Sequence, residues 1–259
     1  MKAKFLLFTV VLLSFFVAST KVRAQANANN PYDEVGAIHN NVLGAFLNAY
    51  SKERVAEEQM TEKDLQKYIC YTAPIQKCDF AEQVWGGDIV QATKKMTLVQ
   101  TAAYLQAKGL VSNHFANYIN KLDRVISQYF GQSSDKLHAA FVAIERDIAS
   151  NPNLKEHEQQ QLLIACAVGR YSARFWSDLA TGVTHYAGVT AQDPVPSVAG
   201  GIVKEDLKGA VAGAVGGAVA GAAAGGVGAG PGALVGGTAG GLSASAAEAI
   251  GKLWDWVFG

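Results

Sequence analysis

The sequence predicts an all-α protein, a helical bundle followed by a Gly/Ala-rich helical hairpin. Three observations predict it. Apolar residues recur at steps of three and four across most of residues 32–187. No segment of strand length alternates apolar and polar residues. Finally, residues 209–247 run for 39 positions without a charge, and "GGVGAGPG" at 225–232 splits them.

The chain begins "MKAKFLLFTVVLLSFFVASTKVRAQ". Lys2 and Lys4 precede an apolar run from Phe5 to Ala18, and small residues follow. This is the layout of a secretory signal, with cleavage expected after Ala24. The run is about 14 residues, short of the roughly 20 that a membrane span needs; an uncleaved anchor is the rival reading. Removing residues 1–24 leaves 18 basic against 22 acidic residues. That balance argues against nucleic acid as a partner, because phosphate binding requires a basic surface. The expected location is secreted or periplasmic, with a peripheral or inserted place at an outer-facing membrane as the further expectation.

Residues 25–31, "QANANNP", read as a disordered lead-in, and the bundle is expected over 32–190. Val35, Ile38, Val42, Phe46 and Ala49 give the first helix one apolar face. A second helix is expected to begin near Thr61 and to end before Pro74. Residues 88–109 read as one helix, closed by Gly109. Val111 to Tyr129 is strongly amphipathic and stops at Gly131. Ser134 or Asp135 caps the next helix, whose Leu137, Phe141, Ile144 and Ile148 point inward. "SNPN" at 150–153 breaks it, and a long helix runs from about Leu154 to Leu179. "AQDPVPSVAGG" marks a linker at 191–204.

Residues 205–259 are expected to form the hairpin, with an aromatic tail. Glycine stands at every fourth position in Gly209, Gly213, Gly217, Gly221 and Gly225, and the second arm carries Gly236 and Gly240. Glycine costs a solvated helix about 1 kcal/mol against alanine. Its repetition on one face makes a groove for the close approach of another helix, as in lipid-embedded interfaces. A soluble hairpin packed on the bundle, or a flexible low-complexity tail, would also accommodate it. Trp254, Trp256 and Phe258 are suited to a membrane interface, or to docking on the bundle.

"GAVAGAVGGAVAGAAAGG…GGTAGG" resembles the glycine-zipper segments of bacteriocin-like peptides and of bacterial surface antigens with glycine-zipper domains. The resemblance implies membrane association and helix–helix assembly. "NPYDEVGAIHNNVL" looks like the start of a group of exported bacterial proteins without assigned function, and implies no activity.

Of three cysteines, Cys70 and Cys78 bracket a short Pro-containing loop and are expected to form a disulfide in an oxidising compartment; two free thiols are the alternative. Cys166 reads as a buried thiol. No Gly-x-Ser-x-Gly, His-Glu-x-x-His or phosphate loop is present, so no catalytic residue, metal ligand or cofactor is assigned. His157, between two glutamates, reads as a solvated helix start. His39 reads as a hydrogen-bonded core histidine, with ligand binding as the alternative. Asp88, His114, Asp123 and His138 are the groups that a bundle could bring together. The functional expectation is a non-enzymatic exported protein whose hairpin meets lipid or copies of itself, bacteriocin-like in mode; the alternative is a soluble periplasmic or extracellular binding protein with the hairpin packed in its fold and an unknown ligand.

Overall fold

The computed structural model describes residues 26–53, 87–93, 96–130, 133–180, 197–223, 230, 232–233 and 237. Among them are seven helices and no strand: α1 (Asp33–Glu53), α2 (Asp88–Thr93), α3 (Leu98–Ala107), α4 (Asn113–Tyr129), α5 (Ser134–Ala149), α6 (Glu156–Ala180) and α7 (Ser197–Ala223). The expected all-α class is the one observed. The expected Cys70–Cys78 bridge and the helix near Thr61 lie outside the described residues, as do Gly225, Gly236, Gly240, Trp254, Trp256 and Phe258.

Local chemistry sets the helix ends. The expected single helix at 88–109 is two, because Thr97 starts α3 with a capping box. Its hydroxyl accepts from the Gln100 backbone N–H, and the Gln100 side chain accepts from the Thr97 N–H. Gly109, at φ 67°, closes α3. The Leu110 N–H reaches the Leu105 carbonyl and the Gly109 N–H reaches Gln106, the paired bonds that a left-handed glycine permits. Ser133, one residue before the expected cap, caps α5 through the Lys136 N–H. Ser112 caps α4. Its own N–H and hydroxyl donate to Glu158 at the start of α6, at 2.6 and 3.1 Å.

The expected inward faces are buried: Phe115, Tyr118, Ile119, Leu122 and Ile126 on α4, and Leu137, Phe141, Ile144 and Ile148 on α5. They meet the central helix α6, buried without interruption from Gln161 to Ala173.

The second central helix is α7. It starts at Ser197, inside the stretch expected to be a linker, so residues 197–204 are its first turns. It packs against α6, α2, α3 and α4. Every residue from Gly209 to Gly221 is buried, so this part of the glycine segment is core rather than appendage. Gly and Ala bury little apolar area each, but they let neighbours come close. A Cβ on Gly216 would lie 2.3 Å from the Thr93 hydroxyl of α2.

Candidate functional site

The buried polar groups gather where the N-terminal segment enters the bundle. Residues 26–31 are ordered against it, not the disordered lead-in that their composition predicts, because their asparagines have buried partners. Asn27 Nδ2 donates to Glu145 at 2.6 Å, and Asn30 Nδ2 donates to Glu145 at 2.7 Å and to the Leu163 carbonyl at 2.9 Å. Their side-chain carbonyls accept from the backbone N–H groups of Asn29 and Tyr32, the local turn chemistry of asparagine. The segment then turns into α1, whose first residue is Asp33.

Asp33 pairs with Arg170 of α6 and accepts from the Tyr171 hydroxyl at 2.9 Å. Arg170 also donates to Glu145 of α5 at 3.1 Å. One fully buried guanidinium thus sits between two carboxylates and ties three segments together. Burial works against its charge, but Glu145 and Asp33 outweigh burial and hold the proton more tightly than usual. Its Nε and Nη1 have no hydrogen-bond partner among the described residues. His138 is half-buried near this cluster, and burial, assisted by Arg170, lowers its pKa against the opposing pull of Glu145, Asp135 and Asp33.

Further along α1, Gly36 lies against the backbone of α6, where a Cβ would come within 2.5 Å of the Ala167 carbonyl oxygen. Asn40 Nδ2 donates to the Tyr171 carbonyl at 2.8 Å. His39 is 2% exposed, and its Nδ1 is 3.4 Å from Asn40 Oδ1. Burial drops its pKa to about 4, against hydrogen bonds to Asn40 and the Gly237 backbone that favour the proton. The motif "NPYDEVGAIHN" is therefore a docking motif, in which Asn30, Asp33, Gly36, His39 and Asn40 each hold α1 in place.

The zipper glycines lie beside it. Gly230, Gly232, Ala233 and Gly237 are helical and run back along α7. A Cβ on Gly232 would be 2.2 Å from the Gly217 carbonyl oxygen and 2.9 Å from Gly221 Cα. A Cβ on Gly237 would meet the Ala210 carbonyl and the Ala214 methyl at 3.4 Å, and His39 Cδ2 at 3.5 Å. The pairing of 232 with 217 and 221, and of 237 with 210 and 214, is antiparallel. Gly217 and Gly221 thus lie against Gly232, a residue of the same chain. Gly209 and Gly213 are buried on the same helix.

No family model, curated protein or solved structure matches this chain.

The four groups that a bundle could bring together stay apart in their interactions. Asp88 and His114 are exposed, Asp123 pairs with Lys208 at 2.9 Å, and His138 belongs to the Arg170 cluster. Among the described residues no three His, Cys, Asp or Glu converge as metal ligands would. Cys166 is a free buried thiol whose pKa burial raises strongly, assisted by Glu145; a thiol so held is a poor nucleophile. His157 is exposed, as a solvated helix start requires. Glu145 and Arg170 were missed by sequence reasoning. Each had a signal: Glu145 falls four residues after Phe141 on the apolar stripe of α5, and Arg170 interrupts "LLIACAVGRYSARFW". A charge on a buried face needs a partner.

Proposed function

We propose that this is an exported, non-enzymatic helical protein that acts in solution as a binding module, with its glycine zipper holding its own bundle together. The observation that carries this reading is the seat of Gly232 on Gly217 and Gly221, within a helix buried from Gly209 to Gly221. The glycine period has an internal use, so an external helix is not required to account for it. No helix among the described residues is long and apolar enough to cross a membrane. Export rests on the N-terminal signal layout, and the non-enzymatic reading rests on the missing catalytic motifs.

A second reading keeps the membrane as partner. It is favoured by the charge-free run of residues 209–247, which is unusual for a soluble core and matches the zipper resemblance. Here the bundle sheathes the hairpin until it is released to lipid or to other copies. Flotation of the mature chain (Gln25 onward) with dye-loaded vesicles at neutral pH separates the two. The soluble reading expects protein at the bottom of the gradient and no dye release. Flotation at pH 7 overturns it in favour of the second.

A further inference from the structure

We propose that His39 is an acid-operated latch on the glycine hairpin: when its imidazole takes up a proton, α1 parts from Gly230 and Gly237 of the returning arm, and the buried small-residue face of the hairpin at that contact is uncovered. The proposal rests on the reading of the hairpin as core at neutral pH.

The geometry puts His39 at a three-way junction. The returning arm lies along α1, with Gly230 beside Val35 and Gly237 beside His39, one helical turn further on. The same arm lies along α7 through Gly232 and Gly237. Asn40 ties this turn of α1 to α6 through Tyr171. Any change at His39 therefore acts on α1, the hairpin and α6 together.

A proton there has no counter-ion among the described residues. On α1 itself, Asp33 is engaged by Arg170 and Tyr171, and Glu34 is exposed one turn away. On α6, Arg170 is held by Asp33 and Glu145, Arg174 pairs with Asp178, and Glu158 accepts from Ser112 and Lys155. On α7, Lys208 pairs with Asp123. The described residues of the returning arm are Gly and Ala. An uncompensated buried charge is strongly unfavourable, so the cation is driven toward water.

Where α1 faces the returning arm, the arm offers it no large side chain among the described residues. Val42 and Leu43 of α1 stand outside the main apolar cluster, which runs from α3 through α7 and includes Phe115, Phe141, Ile144, Val211 and Val215. On the side of α1 that faces the returning arm, Val35 and His39 meet Gly230 and Gly237, which contribute little apolar burial, while the other side stays tied to α6 through Ala167 and Tyr171. Separation at this junction leaves the large-side-chain core closed.

The test uses the mature chain without lipid. Binding of a hydrophobic dye and far-ultraviolet circular dichroism are followed from pH 7 to 3.5 for the wild type and His39→Gln, which keeps a hydrogen-bonding side chain but cannot charge. The expected result is dye binding with helicity retained in the wild type, and a midpoint lower by about one pH unit in the variant. Superimposed profiles overturn the latch, as does simultaneous loss of helicity and onset of dye binding in both. Should His39→Gln not fold at pH 7, the imidazole is followed in the wild type by NMR. Titration of His39 in step with dye binding supports the latch, and titration with no accompanying dye binding overturns it. Failure here leaves the flotation result at pH 7 untouched, so the latch and the soluble reading fall separately.

Discussion

Asp33 and Arg170 form an ion pair across 137 positions of sequence, with the Arg170 side chain entirely removed from solvent. Glu145 completes the cluster from α5. Replacing both sides of such a cluster with apolar groups can be neutral, but removing one partner strands the others. Arg170→Met therefore leaves two buried or half-buried carboxylates without their cation. The expected loss is about 3–5 kcal/mol of unfolding free energy, read by urea denaturation at pH 7. A loss under about 1 kcal/mol, the range of an exposed pair, would show that the cluster contributes little.

The close approaches of glycine predict a graded series. Gly36→Ala and Gly232→Ala each place a methyl within 2.5 Å of a backbone oxygen, which cannot swing aside as a side chain can. Backbone shifts of this kind cost about 1–3 kcal/mol, so both variants melt several degrees below wild type. Gly109→Ala meets open space but holds φ 67°, and its cost is about 1 kcal/mol from the left-handed conformation alone. Differential scanning calorimetry orders the three. Gly217→Leu, on the groove itself, lowers the melting temperature of the whole fold.

His39 also gives stability a pH dependence with a definite sign. Its folded pKa, about 4, lies below the unfolded value of 6.5. The neutral form is the one the fold favours, so this contribution is complete above pH 6.5 and declines as the pH falls toward 4. The full difference corresponds to about 3 kcal/mol. Chemical denaturation at pH 7, 5.5 and 4.5 measures the decline, and His39→Gln flattens it. Glu158, held below its ordinary pKa by the Ser112 and Lys155 N–H groups in spite of burial, loses its own stabilisation lower still, as it protonates.

Cys166 is expected to be inert in the folded protein. Burial keeps its proton on, so a thiol reagent at pH 8 labels it only after denaturant is added. A variant with Cys70→Ser and Cys78→Ser isolates its signal. Labelling at the rate of a free peptide thiol without denaturant would contradict the closed packing of α6. Alkylation of the unreduced, denatured wild type then counts the free thiols and tests the expected Cys70–Cys78 bridge.

The class of fold was legible because period is a local property: the stripes of α4 and α5 are visible in sequence and lie inward in the structure. The break between α2 and α3 was written in the Thr97–Gln100 pair, though the apolar pattern runs through it. The role of α7 was less legible. Its spacing announced close helix packing but not whose helix would fill the groove, because a glycine face reads alike against lipid-embedded partners and against its own chain. The lead-in was misread for a similar reason. Asn27 and Asn30 look like loop residues until Glu145, far away in sequence, supplies a buried acceptor. The polar cluster had only the faint sign of two charges out of place on apolar faces.

The partners of the first helix lie far along the chain: Asn27 meets Glu145 across 118 positions, Tyr171 meets Asp33 across 138, and His39 meets Gly237 further on still. A chain with such distant pairings closes slowly, since ordering the long intervening loop comes before any reward. Its opening helix has nothing to settle against until α5, α6 and the glycine segment have all been synthesised. In the export proposed above, this arrangement would delay folding, keeping the emerging polypeptide extended while it is threaded out and letting it compact once its last third arrives.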